Sequence, residues 1–428
     1  MINNLATALK DLFKAFRSSS PSIKILAVAA VIFHLLFIGN LKTRFLSPLS
    51  YDMTLFRDVR GVDFNAVYMA GHYARRGQNL YTEPAYEEGI PHTRFRYTPP
   101  VAIVLGIPFS FISNFFWASR IWFVITEILL LFNIIVTIYY CPDKKAILPA
   151  TLMWLFFFPY AVEIYMGQFS FLTGTLAFWA ALALWQGRSR SSAALWIPTI
   201  LLKVFPLWMA PLYWKRTSLL KTAEILVLVL LLVLPYFVFH PEDGADFLAL
   251  NSLLGKKPLS EPYMGNQGFY HFLLQWQRGL PLIPVSFSLY LSYALGALLL
   301  LVFLYLCLSG ERDVRLLFCF GFTVFFVLSP EVWEHHYVML LPFLVLGYIS
   351  WKRFRRAILA AYILCALPTL YVFFNPTTGP FDAWGANLSL NSPLGYLYFV
   401  VKPAGVVIFL IVMLVQAFRK SRKGEMRP

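Results

Sequence analysis

The feature that most constrains this chain is a succession of long apolar blocks, the first at about residues 24–40, separated by short segments rich in Lys and Arg. A block of roughly 20 apolar residues is long enough to cross a bilayer as a helix. Lipid offers no hydrogen-bond partners, so a spanning backbone must be helical or part of a closed barrel. Barrel strands alternate apolar and polar residues, whereas these blocks are continuous, which selects helices. A soluble core has no room for them: 59% of the 428 residues are hydrophobic and 13% charged, against about 45–50% and about 25% in soluble domains. The expected fold class is an all-α polytopic membrane protein, one integral membrane domain over residues 1–428.

The net charge of +15 is distributed as a topology signal rather than as a nucleic-acid surface. Cations cluster between apolar blocks, at Lys144 and Lys145, Arg188 and Arg190, Lys215 to Lys221, Arg312 and Arg315, Lys352 to Arg356, and in the tail from Arg419. Cytoplasmic loops carry such an excess, and it also meets anionic lipid. The residues through Ser20 are basic and amphipathic, without a signal-peptide cleavage pattern. Cys141, Cys307, Cys319 and Cys365 form no CxxC or Cys/His pattern and read as apolar filler.

A cytoplasmic N-terminus puts every basic loop on one side. The first span, 24–40, leads into an outer loop over 41–117. That loop holds a helix at Phe64–Arg76 and an apolar run at 101–113, too short to span and interrupted by Pro108, which reads as an interfacial helix. A core module, 118–240, holds spans at 118–140, 147–164, 169–186 and 222–239. Within it, 193–214 has basic residues at both ends, so it is expected as two half-helices broken at Lys203-Val204-Phe205-Pro206. An outer loop, 241–283, precedes the C-terminal helices of 284–418 (284–308, 315–330, 337–351, 357–374 and 396–418) and a basic cytoplasmic tail, 419–428. The total is about twelve membrane helices, with both termini cytoplasmic. No inverted repeat and no separate soluble domain is discernible.

Charged and polar residues in such a chain are costly unless paired or functional. The outer side collects the candidates: Asp63 and Asn65, Arg94, Arg96 and Tyr97, Glu163, Gln168 and Ser170, Lys203, Asn266 and Gln267, and Glu331, Glu334, His335 and His336. Each has an ordinary alternative. Asp63, Gln168 and Asn266 can cap helices, the cations can anchor or snorkel at the interface, and the histidines can pack at a span start. Adjacent histidines on one helix point about 100° apart, so one of the two is expected to face a cavity. The His-His pair lacks the HExxH spacing, and no metal is expected. As a set, these groups offer an acid to serve as base and several cations to meet a phosphate, beside apolar walls. That suits a substrate with a lipid tail and a phosphate head, and points to glycosyl transfer with Asp63 as general base.

The ordered motifs are Val62-Asp63-Phe64-Asn65 through His72, Phe95-Arg96-Tyr97-Thr98-Pro99-Pro100, Gly167-Gln168, Leu202-Lys203-Val204-Phe205-Pro206, Gly265-Asn266-Gln267, and Ser329-Pro330 through Trp333, His335 and His336. In that order the chain resembles glycosyltransferase family 87, C-type membrane mannosyltransferases that use polyprenyl-phosphate sugars, over roughly residues 60–400. The resemblance implies a C-type fold with the catalytic acid and interfacial helices in the first outer loop. It implies Asp63 as general base and a histidine of Trp333–His336 at the reaction centre. Lys203, Arg94 and Arg96 would bind the donor phosphate, and His335, His336, Gln168, Asn266, Gln267, Glu334, Asn65 and Tyr97 would contact substrate. It departs from the family's pattern at Gly268, often a serine, and at Tyr97-Thr98-Pro99-Pro100, which replaces Tyr-Pro-Pro. The implied activity is inverting transfer of a hexose, mannose by resemblance, from a polyprenyl-phosphate sugar to a glycolipid or glycan. It would proceed at the outer face of a bacterial inner membrane, without cofactor or metal and with membrane lipids but no nucleic acid as partners. A lipid-linked sugar transporter and a C-type transferase with another donor are the alternatives.

Overall fold

The computed structural model describes residues 2–55, 60–82, 93–251, 262–277, 284–310, 313–371 and 392–424. Parts of the expected outer loops 41–117 and 241–283, of the expected span 357–374 and of the tail therefore lie outside the described residues. The basic N-terminal stretch is helix α1 (Ile2–Ser18). The Ser20 hydroxyl then accepts from Ile23 N at 3.5 Å and Pro21 sits in the first turn, where its missing N–H is no loss, so α2 (Pro21–Thr43) begins at once.

The polar loop that follows forms α3 (Tyr51–Leu55) and α4 (Val62–Arg76). The apolar run expected at 101–113 is helical over 99–110, as α5 (Pro99–Val101), a π-turn over Ala102–Gly106 and α6 (Ile107–Ser110). It crosses α4 at backbone contact. A Cβ on Gly71 would stand 2.1 Å from the Gly106 carbonyl, so the crossing needs glycine. Buried aromatics, among them Phe64, Phe95, Phe109 and Trp122, form a small separate core around this crossing.

The chain continues through α7 (Phe115–Tyr140), whose first turn is capped by the Asn114 side chain, then α8 (Lys144–Leu155) and α9 (Phe158–Met166). The last two form one path bent by 41°, where extended Phe157 and Pro159 interrupt the helical ladder. Next come α10 (Ser170–Trp185) and α11 (Ser189–Leu202). A 3-10 turn (Phe205–Met209) then leads to α12 (Ala210–Arg216). The half-helices α11 and α12 fold back on each other: Trp196 stacks on Tyr213 with ring centres 4.0 Å apart, and the Ser192 and Tyr213 hydroxyls are 2.7 Å apart. The break at Lys203-Val204 thus returns both basic ends to one side.

The remainder comprises α13 (Leu219–Phe239), α14 (Pro241–Asn251), α15 (Phe269–Gln277), α16 (Val285–Leu308) and α17 (Val314–Leu328). A 3-10 segment over Glu334–Met339 precedes α18 (Leu341–Ser350), α19 (Arg355–Ala366) and α20 (Pro393–Gly424).

Among the described residues, α2, α7, α13, α16 and α20 are each long and apolar enough to cross a membrane, and the bent α8–α9 path makes a sixth if taken as one span. Only 11% of the apolar stretch of α13 is buried in protein, which is the exposure of a lipid-facing helix and not of a soluble one. The other expected spans are helical but shorter. Helix α17 has 15 residues and α18 has 10, about 22 Å and 15 Å at 1.5 Å per residue, short of the roughly 30 Å hydrocarbon core. Their side chains are almost wholly buried, because the surrounding helices and not lipid enclose them. Basic loops gather at one end of the bundle: Arg355 pairs with Asp143 at 2.6 Å, Lys144 with Asp11 at 3.1 Å, and Arg315 lies over the Trp185 ring.

Candidate active site

At the opposite end, α4, the 93–98 segment, the α9–α10 turn, the α11–α12 break and the 331–336 segment enclose a cavity of about 750 Å³. Each side chain reaches it for a local reason. Asp63 stands in the first turn of α4, whose start is set by Gly61 in the left-handed region, and the Gly61 N–H donates to Tyr165 O at 2.9 Å. Gln168 follows Gly167, also left-handed at φ 67°, and a Cβ at Gly167 would lie 2.7 Å from Phe64 Cβ. That glycine satisfies both the turn and the close approach of α4. Lys203 stands at the half-helix break, its Nζ 5.4 Å from the centre of the Tyr97 ring.

The polar groups form a connected wall. The Tyr97 hydroxyl donates to Gln168 Oε1 at 2.9 Å, and the same oxygen accepts from Phe169 N. Asp63 Oδ2 has no hydrogen-bond partner among the described residues. Burial pushes the Asp63 carboxyl above the usual carboxylate range; nearby His335, Gln168 and Lys203 act against that shift, while Asp52 adds to it. Arg94 and Arg96 also line the cavity with exposed side chains, and Arg96 lies 3.7 Å from Glu331. They form its wet rim, whereas Asp63, Gln168 and His335 form its drier wall.

Both histidines line the cavity, which corrects the expectation that one would. The segment is a 3-10 turn and not the start of a regular helix, and the cavity wraps around it. His336 Nδ1 accepts from Trp333 N at 3.2 Å, while His335 Nδ1 is 3.1 Å from Asp52 Oδ2. His335 Nε2 has no partner among the described residues. Burial pulls the His335 imidazole down to about 4 and pushes Asp52 up to about 8.

Four expected contacts lie off the cavity wall. Asn65 is buried on α4. Asn266 is a loop clasp: its Oδ1 accepts from Gly268 N and Val332 N, and its Nδ2 donates to Pro330 O. Gln267 is engaged by Met264 O through its side chain and by Tyr337 and Val332 through its backbone. Gly268 fits this clasp, since a Cβ there would press within 3.0 Å of Val332 Cβ. Glu334 is buried beside Lys402 (3.3 Å) and accepts from Ser50 and Thr369. Glu163 accepts from Phe171 N at 2.7 Å within the helix core. The sequence reading missed Asp52 and Lys402. Asp52 has a partner remote in sequence and stands in no motif, so no local signal marks it. Lys402, a lysine inside the expected span 396–418, carries the signal of a costly charge that the sequence reading passed over.

Among the described residues, no group of three or more His, Cys, Asp or Glu is placed to hold a metal ion. The glycosyltransferase family 87 model matches residues 95–330, more than half of the chain. The matched stretch includes Arg96, Tyr97, Gln168 and Lys203, while Asp63 and the histidine pair lie outside it. No curated protein and no solved structure matches the chain. With its long apolar helices and a matched stretch that spans the cavity's Tyr97, Gln168 and Lys203 wall, this membrane protein belongs to glycosyltransferase family 87, and as a glycosyltransferase it moves a sugar from a donor to an acceptor.

Proposed function

We propose that this chain transfers a hexose, mannose by its resemblance, from a polyprenyl-phosphate donor to a hydroxyl of a glycolipid or glycan, with inversion. The reaction would take place at the outer face of a bacterial inner membrane, with both termini cytoplasmic. One observation carries the reading: an unpartnered Asp63 carboxylate oxygen in a cavity wall that also presents Lys203 and two arginines. A base and a set of phosphate-sized cations are the two things that displacement at an anomeric carbon requires.

In this mechanism, Asp63 takes the proton of the acceptor hydroxyl as its oxygen forms a bond to the anomeric carbon. The bond from that carbon to the phosphate oxygen breaks on the opposite face, and its electron pair leaves with the phosphate. Lys203 and Arg94 or Arg96 meet the charge that develops there. The apolar flank, formed by Leu201, Val204, Phe205, Trp208 and Leu328, suits the prenyl chain. His335 and His336 orient donor or acceptor.

The test is a transfer assay in liposomes with polyprenyl-phosphate-[¹⁴C]mannose and a membrane glycolipid extract, wild type against Asp63→Asn. Label that enters a new glycolipid with wild type alone supports both donor class and base. Equal transfer by the variant overturns the base. Transfer only from a different lipid-phosphate sugar overturns mannose and keeps the mechanism.

A further inference from the structure

A second hollow, of about 490 Å³, lies behind the catalytic loop. Gly61 and Tyr165, joined by a backbone hydrogen bond, and Gly167 line the hollow, while their chain neighbours Val62, Asp63, Met166 and Gln168 line the reaction cavity. The two spaces are therefore separated by one layer of backbone, at the same end of the bundle.

The chemistry of this hollow is one-sided. Lys42, Arg60 and Arg120 line it, and no Asp or Glu among the described residues does. Arg60 feels mainly its burial and then the positive charge of Arg44, with Arg120 also opposing it, so its guanidinium is pulled below the usual range. Glu127, one turn beyond Phe123 on α7, is already engaged by His34 at 2.9 Å and by the Tyr160 hydroxyl. Ser119, Thr126 and Tyr165 add neutral polar groups, and the side toward the bundle surface is apolar: Ile38 and Leu41 on α2, and Phe116 and Phe123 on α7, with Phe116 47% exposed. These positions belong to the two lipid-length helices α2 and α7, at the ends nearest the catalytic loop. The cations therefore stand at the end of the first span where the distribution of the basic loops predicts few of them.

We propose that this hollow binds the phosphate headgroup of a membrane lipid, with Arg60, Arg120 and Lys42 on the phosphate and the acyl chains running down the groove between α2 and α7. Arginine pairs reward a phosphate with charge-assisted bonds, and the apolar groove rewards a ligand that carries a tail. A bound headgroup would brace Gly61 from behind and so hold the first turn of α4, where Asp63 stands. The proposal rests on the membrane placement of α2 and α7 and not on which sugar is transferred.

The test uses the full-length protein released from nanodiscs of phosphatidylcholine containing phosphatidylglycerol, with retained lipid counted by native mass spectrometry. Wild type is expected to hold a phosphatidylglycerol molecule under conditions that strip phosphatidylcholine. Arg60→Gln with Arg120→Gln should weaken that retention about tenfold, whereas Arg60→Lys with Arg120→Lys keeps most of it, which separates loss of charge from loss of fold. Asp63→Asn should retain the lipid fully, so failure of the transferase mechanism and failure of this site are read independently. Equal retention by the glutamine variant, or equal retention of phosphatidylcholine by wild type, overturns the site. Displacement of phosphatidylglycerol by millimolar inorganic phosphate overturns the lipid assignment in favour of a free-anion site.

Discussion

His335 Nδ1 lies 3.1 Å from Asp52 Oδ2, although 283 residues separate them in the chain. Both are buried and both line the cavity, and the imidazole's other nitrogen has no partner among the described residues. Asp52 thereby fixes the ring's orientation, and its own Oδ1 is also without a partner among the described residues. Asp52→Asn is expected to lower kcat by on the order of tenfold to a hundredfold with little change in donor KM, because it disturbs placement and not affinity. Steady-state kinetics check this; a change confined to KM would assign Asp52 to substrate binding instead.

The pH profile reports on Asp63. A base acts only when ionised, and burial raises this carboxyl's affinity for its proton. Activity should therefore be present above the raised value and be lost as pH falls through it, with the acid limb of kcat/KM displaced upward from the ordinary carboxylate region near about 4. Asp63→Asn removes that limb and about 10²–10⁴ of the rate. An acid limb at or below the ordinary value would show that another group is the base.

Chelation offers a separate check. The proposed leaving group is a single phosphate met by Lys203 and the arginine rim, a role that in other transferases falls to a divalent ion holding a diphosphate. Full transfer is expected in excess EDTA. Loss of activity that Mg²⁺ or Mn²⁺ restores would refute this assignment of the cations.

Glu334 and Lys402 form a buried pair at 3.3 Å. Removing one partner strands the other charge, so Lys402→Met should destabilise by about 3–5 kcal/mol. Adding Glu334→Gln should recover much of that loss. Thermal unfolding in detergent, run as a double-mutant cycle, measures the coupling. If the two losses simply add, the pair is not a unit and a substrate role for Glu334 regains weight.

Gly167 sits at φ 67° with no room for a Cβ beside Phe64. Gly167→Ala should cost about 1–2 kcal/mol from the left-handed backbone alone, with a further loss from the clash. It should lower activity as well, since the same turn places Gln168. Unfolding temperature and transfer rate should fall together; normal stability would mean that α4 moves aside freely.

Much of this protein was legible from the chain because its governing forces are local and one-dimensional. A continuous apolar block must become a helix in lipid wherever it occurs, so α2, α7, α13 and α16 fall close to their expected positions. Pro206 beside a basic-flanked segment announced the folded-back α11 and α12 pair. Asp63, Tyr97, Gln168, Lys203, Arg94, Arg96 and the two histidines were marked by being polar where polarity is costly, and the fold brings them around one cavity. What only the tertiary structure decided is which polar groups face that cavity and which are consumed by packing. Asn266, Gln267 and Glu334 look the same in sequence as Gln168, yet their hydrogen bonds close a loop and neutralise a buried lysine. Asp52 carried no local mark, because its partner comes from the far end of the chain. Nor could the sequence show that short α17 and α18 are enclosed by protein, for burial is a property of neighbours, and neighbours are set by the fold.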